Sequence, residues 1–147
     1  MHIERMENLV RVLHNVEARH LDFDISSWGR KAPRCRTVAC AVGWCAEDEW
    51  HNEQGLKWGG FETSSGLTVT FKDYVGMEAA QEYFQINEPL AAHLFTRHGY
   101  TRDFSKPVTA KMVRERIEGL IAAEKAGQLM PVVSALAAIE PLVLEDA

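Results

Sequence analysis

The stretch "CRTVACAVGWC", Cys35 to Cys45, decides how the rest of the chain is read. Cys35, Cys40 and Cys45 recur at five-residue intervals, and Ala39, Ala41, Gly43 and Ala46 keep the profile thin. The stretch predicts a helix over 37–46 with Thr37 as its N-cap, slim so that other elements can close around it. Gly43 in mid-helix costs about 1 kcal/mol against alanine, which implies a packing reason for it. A basic run, "GRKAPRCR" (29–36), precedes this helix and an acidic run, "AEDEWHNE" (46–53), follows it. That order opposes the helix dipole. The helix should therefore break near Ala46, with Glu47, Asp48 and Glu49 opening a new helical turn that ends by Gly55.

Two chemical readings compete with the packed helix. Structural zinc takes four ligands, usually as two pairs, and Cys35, Cys40 and Cys45 supply no second pair. On a helix, positions 40 and 45 point about 140° apart. His51 would complete a ligand set only by a fold-back that nothing in the sequence forces. Buried free cysteines ordinarily behave as small hydrophobes. As a nucleophile, Cys35 has the better environment, because Arg34 and Arg36 flank it and a helix start follows, which would lower its pKa. A general base is then needed, and His14, His20, His51, His93 and His98 are unmarked by any motif. Cys35 with His51 is the alternative catalytic pair. The leading reading has no catalytic residue, no metal and no cofactor. Phosphate-loop, dinucleotide, nucleophile-elbow and H-E-x-x-H motifs are all missing from the sequence.

Outward from this stretch the pattern is mostly helical. Ile3, Met6, Leu9, Val10, Leu13 and Val16 form one apolar stripe, with Val12 at its border. Residues 20–34 read as an ordered loop pinned by Phe23, Ile25 and Trp28. "LTVTF" (67–71) alternates, and with "GGFET" before it predicts a β-hairpin at about 61–71. Helical period returns at 77–85. Asn87 and Pro89 restart a helix that should end with Gly99 as C′. Thr109 caps a helix over 110–126 that ends at Gly127. Residues 78–99 have the outline of a helix–turn–helix, but Glu78, Glu82 and Glu88 would repel DNA phosphates, so a plain helical hairpin is the better reading.

The chain of 147 residues is long enough for one domain with its own core. The expected organisation is a single helical domain with hairpin over 1–127. Residues 128–147 are an apolar extension, broken by Pro131 and Pro141, that could dock in cis or make a dimer. The fold class is mainly α (α+β), compact around the small-residue helix, with the N-terminal helix, the 77–98 pair and the 110–126 helix wrapped about it. A net charge of −5 argues against DNA or RNA as partner. No apolar run is long enough to span a membrane, and the charged N-terminus is not an export signal, so a cytoplasmic setting with reduced thiols is expected.

The pattern resembles a family of small bacterial and phage proteins of uncharacterised function. The residues that carry it are Phe23, Asp24, Ser26 and Trp28 (F-D-x-S-x-W), then Cys35, Thr37, Cys40, Gly43 and Trp44 (C-x-T-x-x-C-x-x-G-W). Leu94, Phe95 and Tyr100 (L-F-x-x-x-x-Y) follow, with Val113, Arg116 and Ile117 (V-x-x-R-I) near the end. Phe84 stands for the family's aromatic-rich helix. The chain departs at Arg36, where the pattern has glycine. The resemblance implies an architecture and a bacterial or phage setting, without chemistry.

Trp28, Trp44, Trp50 and Trp58 cluster in sequence. Trp44 belongs with the small-residue face and the core, whereas Trp50 and Trp58 are the better surface candidates. With Trp28, Arg30 and Arg34 they make the candidate binding set, since tryptophan and arginine dominate interface hot spots. The expected function is a non-catalytic protein–protein interaction module, such as an acidic inhibitor or accessory of a host factor. The alternatives are a small Cys/His enzyme or a metal-binding module.

Overall fold

The computed structural model describes residues 1–32, 36–63, 66–103 and 105–127, the side chains of 30–32, 36, 60–63 and 66 excepted. Helix α1 (Ile3–Ala18) starts at His2, whose side chain accepts the Arg5 amide. It buries Met6, Leu9, Val12, Leu13 and Val16. The stripe is thus turned slightly from the sequence reading, with Val12 inside and Val10 only partly buried.

The chain then forms β1 (Asp22–Phe23), β2 (Arg30–Ala32) and β3 (Arg36–Ala39). Strand β3 is central, parallel to β1 and antiparallel to β2. This corrects two expectations. The 20–34 segment carries two short strands as well as its pinned turn, and Thr37 lies in a strand instead of capping a helix. The cause is non-local, since Val38 pairs with both Asp22 and Arg30. Helix α2 starts later, at Ala41–Glu47, with Cys40 as N-cap. The break foreseen near Ala46 falls at Asp48, which caps α3 (Glu49–Glu53) by accepting the His51 amide at 3.2 Å. The Asp48 carboxylate also takes both terminal nitrogens of Arg11, at 3.0 and 2.8 Å.

A second sheet has the order β4 (Lys57–Thr63), β5 (Gly66–Phe71), β6 (Tyr74–Val75). The expected hairpin is present but begins at Lys57, earlier than position 61. The Leu67 amide donates to the Gly29 carbonyl at 2.7 Å, which stitches the two sheets together.

Helices α4 (Met77–Phe84) and α5 (Glu88–Phe95) follow, the latter capped by Asn87 with Pro89 in its first turn. Helix α5 stops at Phe95, and a 3-10 turn spans Arg97–Gly99, so Gly99 is not its C′ residue. Helix α6 (Ala110–Lys125) is capped by Thr109, as its sequence suggested. It lies along α1, where Arg114 holds both Glu17, at 2.6 Å, and Glu118. Arg116 donates to the carbonyls of His93 (2.8 Å) and Gly99 (2.6 Å), and stacks 3.8 Å over the Tyr100 ring. The Tyr100 hydroxyl in turn donates to the Leu94 carbonyl at 2.8 Å. The L-F-x-x-x-x-Y and V-x-x-R-I residues therefore lock α6 to the end of α5.

The α+β class stands, built around the small-residue helix. Helix α2 buries Ala41, Val42, Gly43, Cys45 and Ala46, and packs on α1, α3, β3, β4 and β5. A Cβ at Gly43 would lie 1.7 Å from the Trp28 carbonyl oxygen, so the helix is thin where another backbone crosses it. The wrapping differs from expectation in one respect: α6 packs on α1 and α5, and reaches the α2 region through them. Among the described residues, no helix is long and apolar enough to cross a membrane. The extension 128–147 lies outside the described residues.

Candidate functional site

Two chain segments arrive side by side on one edge of β5. Gly29 accepts the Leu67 amide, and the Gly76 amide donates to the Val69 carbonyl at 2.9 Å. A methyl group on Gly76 would sit 3.9 Å from the Trp28 indole, so the segments touch there. They then diverge, one into the turn 24–28 and the other into α4 through Met77. The C-terminal end of α5 and the 3-10 turn form the remaining wall. The space between is a cleft of about 490 Å³. That is within the range of ~300–1,000 Å³ typical of ligand sites.

Its lining is mixed. Ile25, Trp28, Met77 and Phe95 supply apolar surface, with Cys40 beside them. Ser26, Ser27, Thr96, Arg97 and His98 supply polar groups. The turn that carries Trp28 is rigidly specified. Asp24 Oδ1 accepts the Ser26 amide at 2.9 Å and the Asp24 carbonyl accepts the Ser27 amide at 3.1 Å. The Asp24 amide donates to the Ala39 carbonyl, and the Cys40 amide to the Ser27 carbonyl at 2.7 Å. An aspartate that bonds its own backbone two residues on is the ordinary device for such a turn. Arg97 is held by donation to the Lys106 carbonyl at 2.6 Å.

The thiols are placed for packing. Cys40 is 3% exposed, and burial pushes its pKa up to about 11 although the amides of Val42 and Gly43 favour the thiolate. Cys45 is fully buried and is raised well above its ordinary value for the same first reason, with Asp48 adding to it. Both are therefore protonated at neutral pH and poor nucleophiles. Among the described residues, no three His, Cys, Asp or Glu side chains converge on a point that could hold a metal ion.

His51 is the one buried polar residue of the described core. Its Nδ1 lies 2.5 Å from the Tyr83 hydroxyl, while Nε2 has no hydrogen-bond partner. Burial pushes its pKa down to about 4, outweighing the Asn8 carbonyl and the Asp48 carboxylate, which favour protonation. The Tyr83 hydroxyl is pushed up by burial, so at neutral pH it is a phenol that donates to the neutral ring. This imidazole is closed off from solvent and from the cleft.

The other candidates are scattered. Among the described side chains of the binding set, Trp28 alone lines the cleft. Trp58 covers Gly29 and donates from Nε1 to Glu47 Oε1 at 2.5 Å. Trp50 is half-buried on α3 with its ring edge-on to His51. Trp44 is also half-buried, and its Nε1 donates to the Asp22 carbonyl at 2.9 Å. Arg30 begins β2, but its side chain is outside the description, and Arg34 and Cys35 lie outside the described residues altogether. The sequence reading did not single out Met77, Phe95, Thr96 and Arg97 as site residues, and named His98 only among the unmarked candidate bases. The only local signal there was the helix stop around "HGY" (98–100).

Comparison with known protein families, curated proteins and solved structures found no match for this chain.

Proposed function

We propose that this chain is a non-catalytic protein-binding module that takes a short extended segment of a partner protein along β6 and into the Trp28 cleft. One observation carries the reading. Tyr74 and Val75 are 38% and 49% exposed, both sit on β6, and Gly76 and Met77 lead directly from them into the cleft. Exposed apolar side chains that lead into a cleft of mixed apolar and polar lining are a recurrent mark of interaction surfaces. Strand β6 ends its sheet, and among the described residues no strand pairs with its outer edge. An open edge offers backbone groups for strand addition, and the cleft would receive one apolar side chain of the added segment. A bacterial or phage setting belongs to the same proposal through the family resemblance, and action on a host factor in the cytoplasm through the acidity, small size and N-terminal reading of the sequence.

Site-specific photo-cross-linking in cells tests it. A cross-linking residue at Ser26 should yield one discrete adduct, whereas the same residue at Lys111 on α6 should not. Val75→Lys, at an exposed position, should leave the unfolding temperature unchanged and remove the adduct. An adduct that survives Val75→Lys, or that forms equally from Lys111, refutes the reading.

A further inference from the structure

We infer that α3 is an acid-released latch, held to the core by His51 and freed when that ring takes up a proton. The geometry isolates this element. Helix α3 is a single turn, Glu49–Glu53, and His51 is its one buried residue. A break stands at each end: Asp48 is extended at ψ 131, and Gly55 has φ 105, a conformation that suits glycine. The buried anchors of the turn toward α1 and α4 are thus the His51 ring and the Asp48 cap, beside a half-buried Trp50 and packing on α2.

The surroundings of that ring disfavour a second proton. Trp50, Tyr83 and Phe84 pack around it with ring centroids 5.0, 5.6 and 6.4 Å away. Helix α1 presents two cations toward it, Arg5 and Arg11. Arg5 stacks 4.4 Å over the Tyr83 ring and donates to the Tyr83 carbonyl. The groups on the other side of the balance are the Asn8 carbonyl on α1 and the Asp48 carboxylate, the latter already shared by both Arg11 nitrogens. The thiol of Cys45 on α2 and the phenol of Tyr83 on α4 are neutral at neutral pH. Protonation also turns Nδ1 from acceptor to donor, so it breaks the Tyr83 hydrogen bond as now arranged. Opening α3 into water relieves both costs.

The sign follows from linkage. The closed state holds the ring pKa at about 4 against 6.5 in water, so closure is fully favoured above pH 6.5 and is lost as pH falls toward 4. The difference of about 2.5 pH units corresponds to a limiting rise of about 300-fold in the opening constant of α3 well below pH 4, of which about 100-fold is realised between pH 7 and pH 4. Asp48 does not confound this window, because its carboxyl is held below 3.8. His93, also pushed down to about 4 by burial and by Arg116, sits on α5, and its titration bears on the α5–α6 contact.

Amide hydrogen exchange of the intact chain between pH 7 and pH 4, corrected for intrinsic rates, tests the latch. The amides of 52–55 should open through a separate low-energy process whose constant rises by about 100-fold between pH 7 and pH 4, ahead of the central α1 amides at every pH. His51→Gln, which can still accept from Tyr83, should make that constant independent of pH over this window. The imidazole resonances of wild-type His51 supply a second readout if the variant does not fold, with an expected midpoint near pH 4. The inference is overturned if 52–55 and α1 exchange with one common constant throughout. A His51 midpoint near 6.5, or a His51→Gln variant with the wild-type pH dependence, overturns it equally.

Discussion

Replacing Gly43 with alanine sets two physical effects against each other. In a solvent-exposed helix the change would stabilise the protein by about 1 kcal/mol through helix propensity. Here the new methyl would meet the Trp28 carbonyl oxygen at 1.7 Å, the Trp28 carbonyl carbon at 2.9 Å and the Ala39 Cβ at 2.9 Å. Ordinary contact is about 3.5 Å, so α2 and the Trp28 backbone must part by about 2 Å. Forcing an extra carbon into a packed interior costs about 1–3 kcal/mol, and more when backbone is what must move. The Trp28 backbone cannot yield alone, because Gly29 beside it is tied to Leu67 and Ser27 is tied to Cys40. A net loss of about 2 kcal/mol is expected after the propensity gain. With a urea m-value of about 2 kcal/mol/M, the unfolding midpoint by circular dichroism should fall by about 1 M. A midpoint that is unchanged or higher in Gly43→Ala would refute the reasoning, since propensity would then have won over contact.

Arg116→Lys keeps the charge but loses the planar guanidinium whose Nη1 reaches two carbonyls while the plane stacks on Tyr100, and should cost about 1–3 kcal/mol by thermal unfolding. An unchanged unfolding temperature would show that the α5–α6 lock is decorative. Asp48→Ala removes the α3 cap and leaves Arg11 without its carboxylate, with an expected loss of about 1–2 kcal/mol at pH 7. Burial by itself would raise the Asp48 pKa, but Arg11 and the His51 amide outweigh it and hold the carboxyl low. Its contribution is therefore present above the ordinary carboxylate range and disappears as pH falls through the lower folded value. The stability gap between wild type and Asp48→Ala should close in strong acid, and a gap that persists there would assign the effect to packing.

The sequence and the structure agree where the signal is local. Thr109, Asn87 and Asp48 each stand where a side-chain oxygen can accept an amide two or three residues on, and each does cap a helix. The apolar stripe of α1 and the alternation of β5 are equally local. The strands β1, β2 and β3 were hidden because none is longer than four residues and each is stabilised by pairing with another segment. Thr37 is a good cap by type, yet Val38 between two partner strands decides the backbone there. Of the candidate site, only Trp28 and its Asp24 turn could be read in advance. The cleft is assembled from three segments that meet only because Gly29 and Gly76 share one edge of β5. Nothing in the spacing of His51 announced that it would be the single buried anchor of its helix.

The central claim is that the stretch from Cys40 to Glu47 is a packing element whose thiols are buried, Cys45 within the core and Cys40 against the wall of the cleft. Native-state alkylation with iodoacetamide at pH 7.5, followed peptide by peptide with mass spectrometry, measures this directly. Cys40 and Cys45 should remain unmodified over the time in which denaturant allows both to react completely. Alkylation of either one in the folded protein at its denatured-state rate would contradict the account.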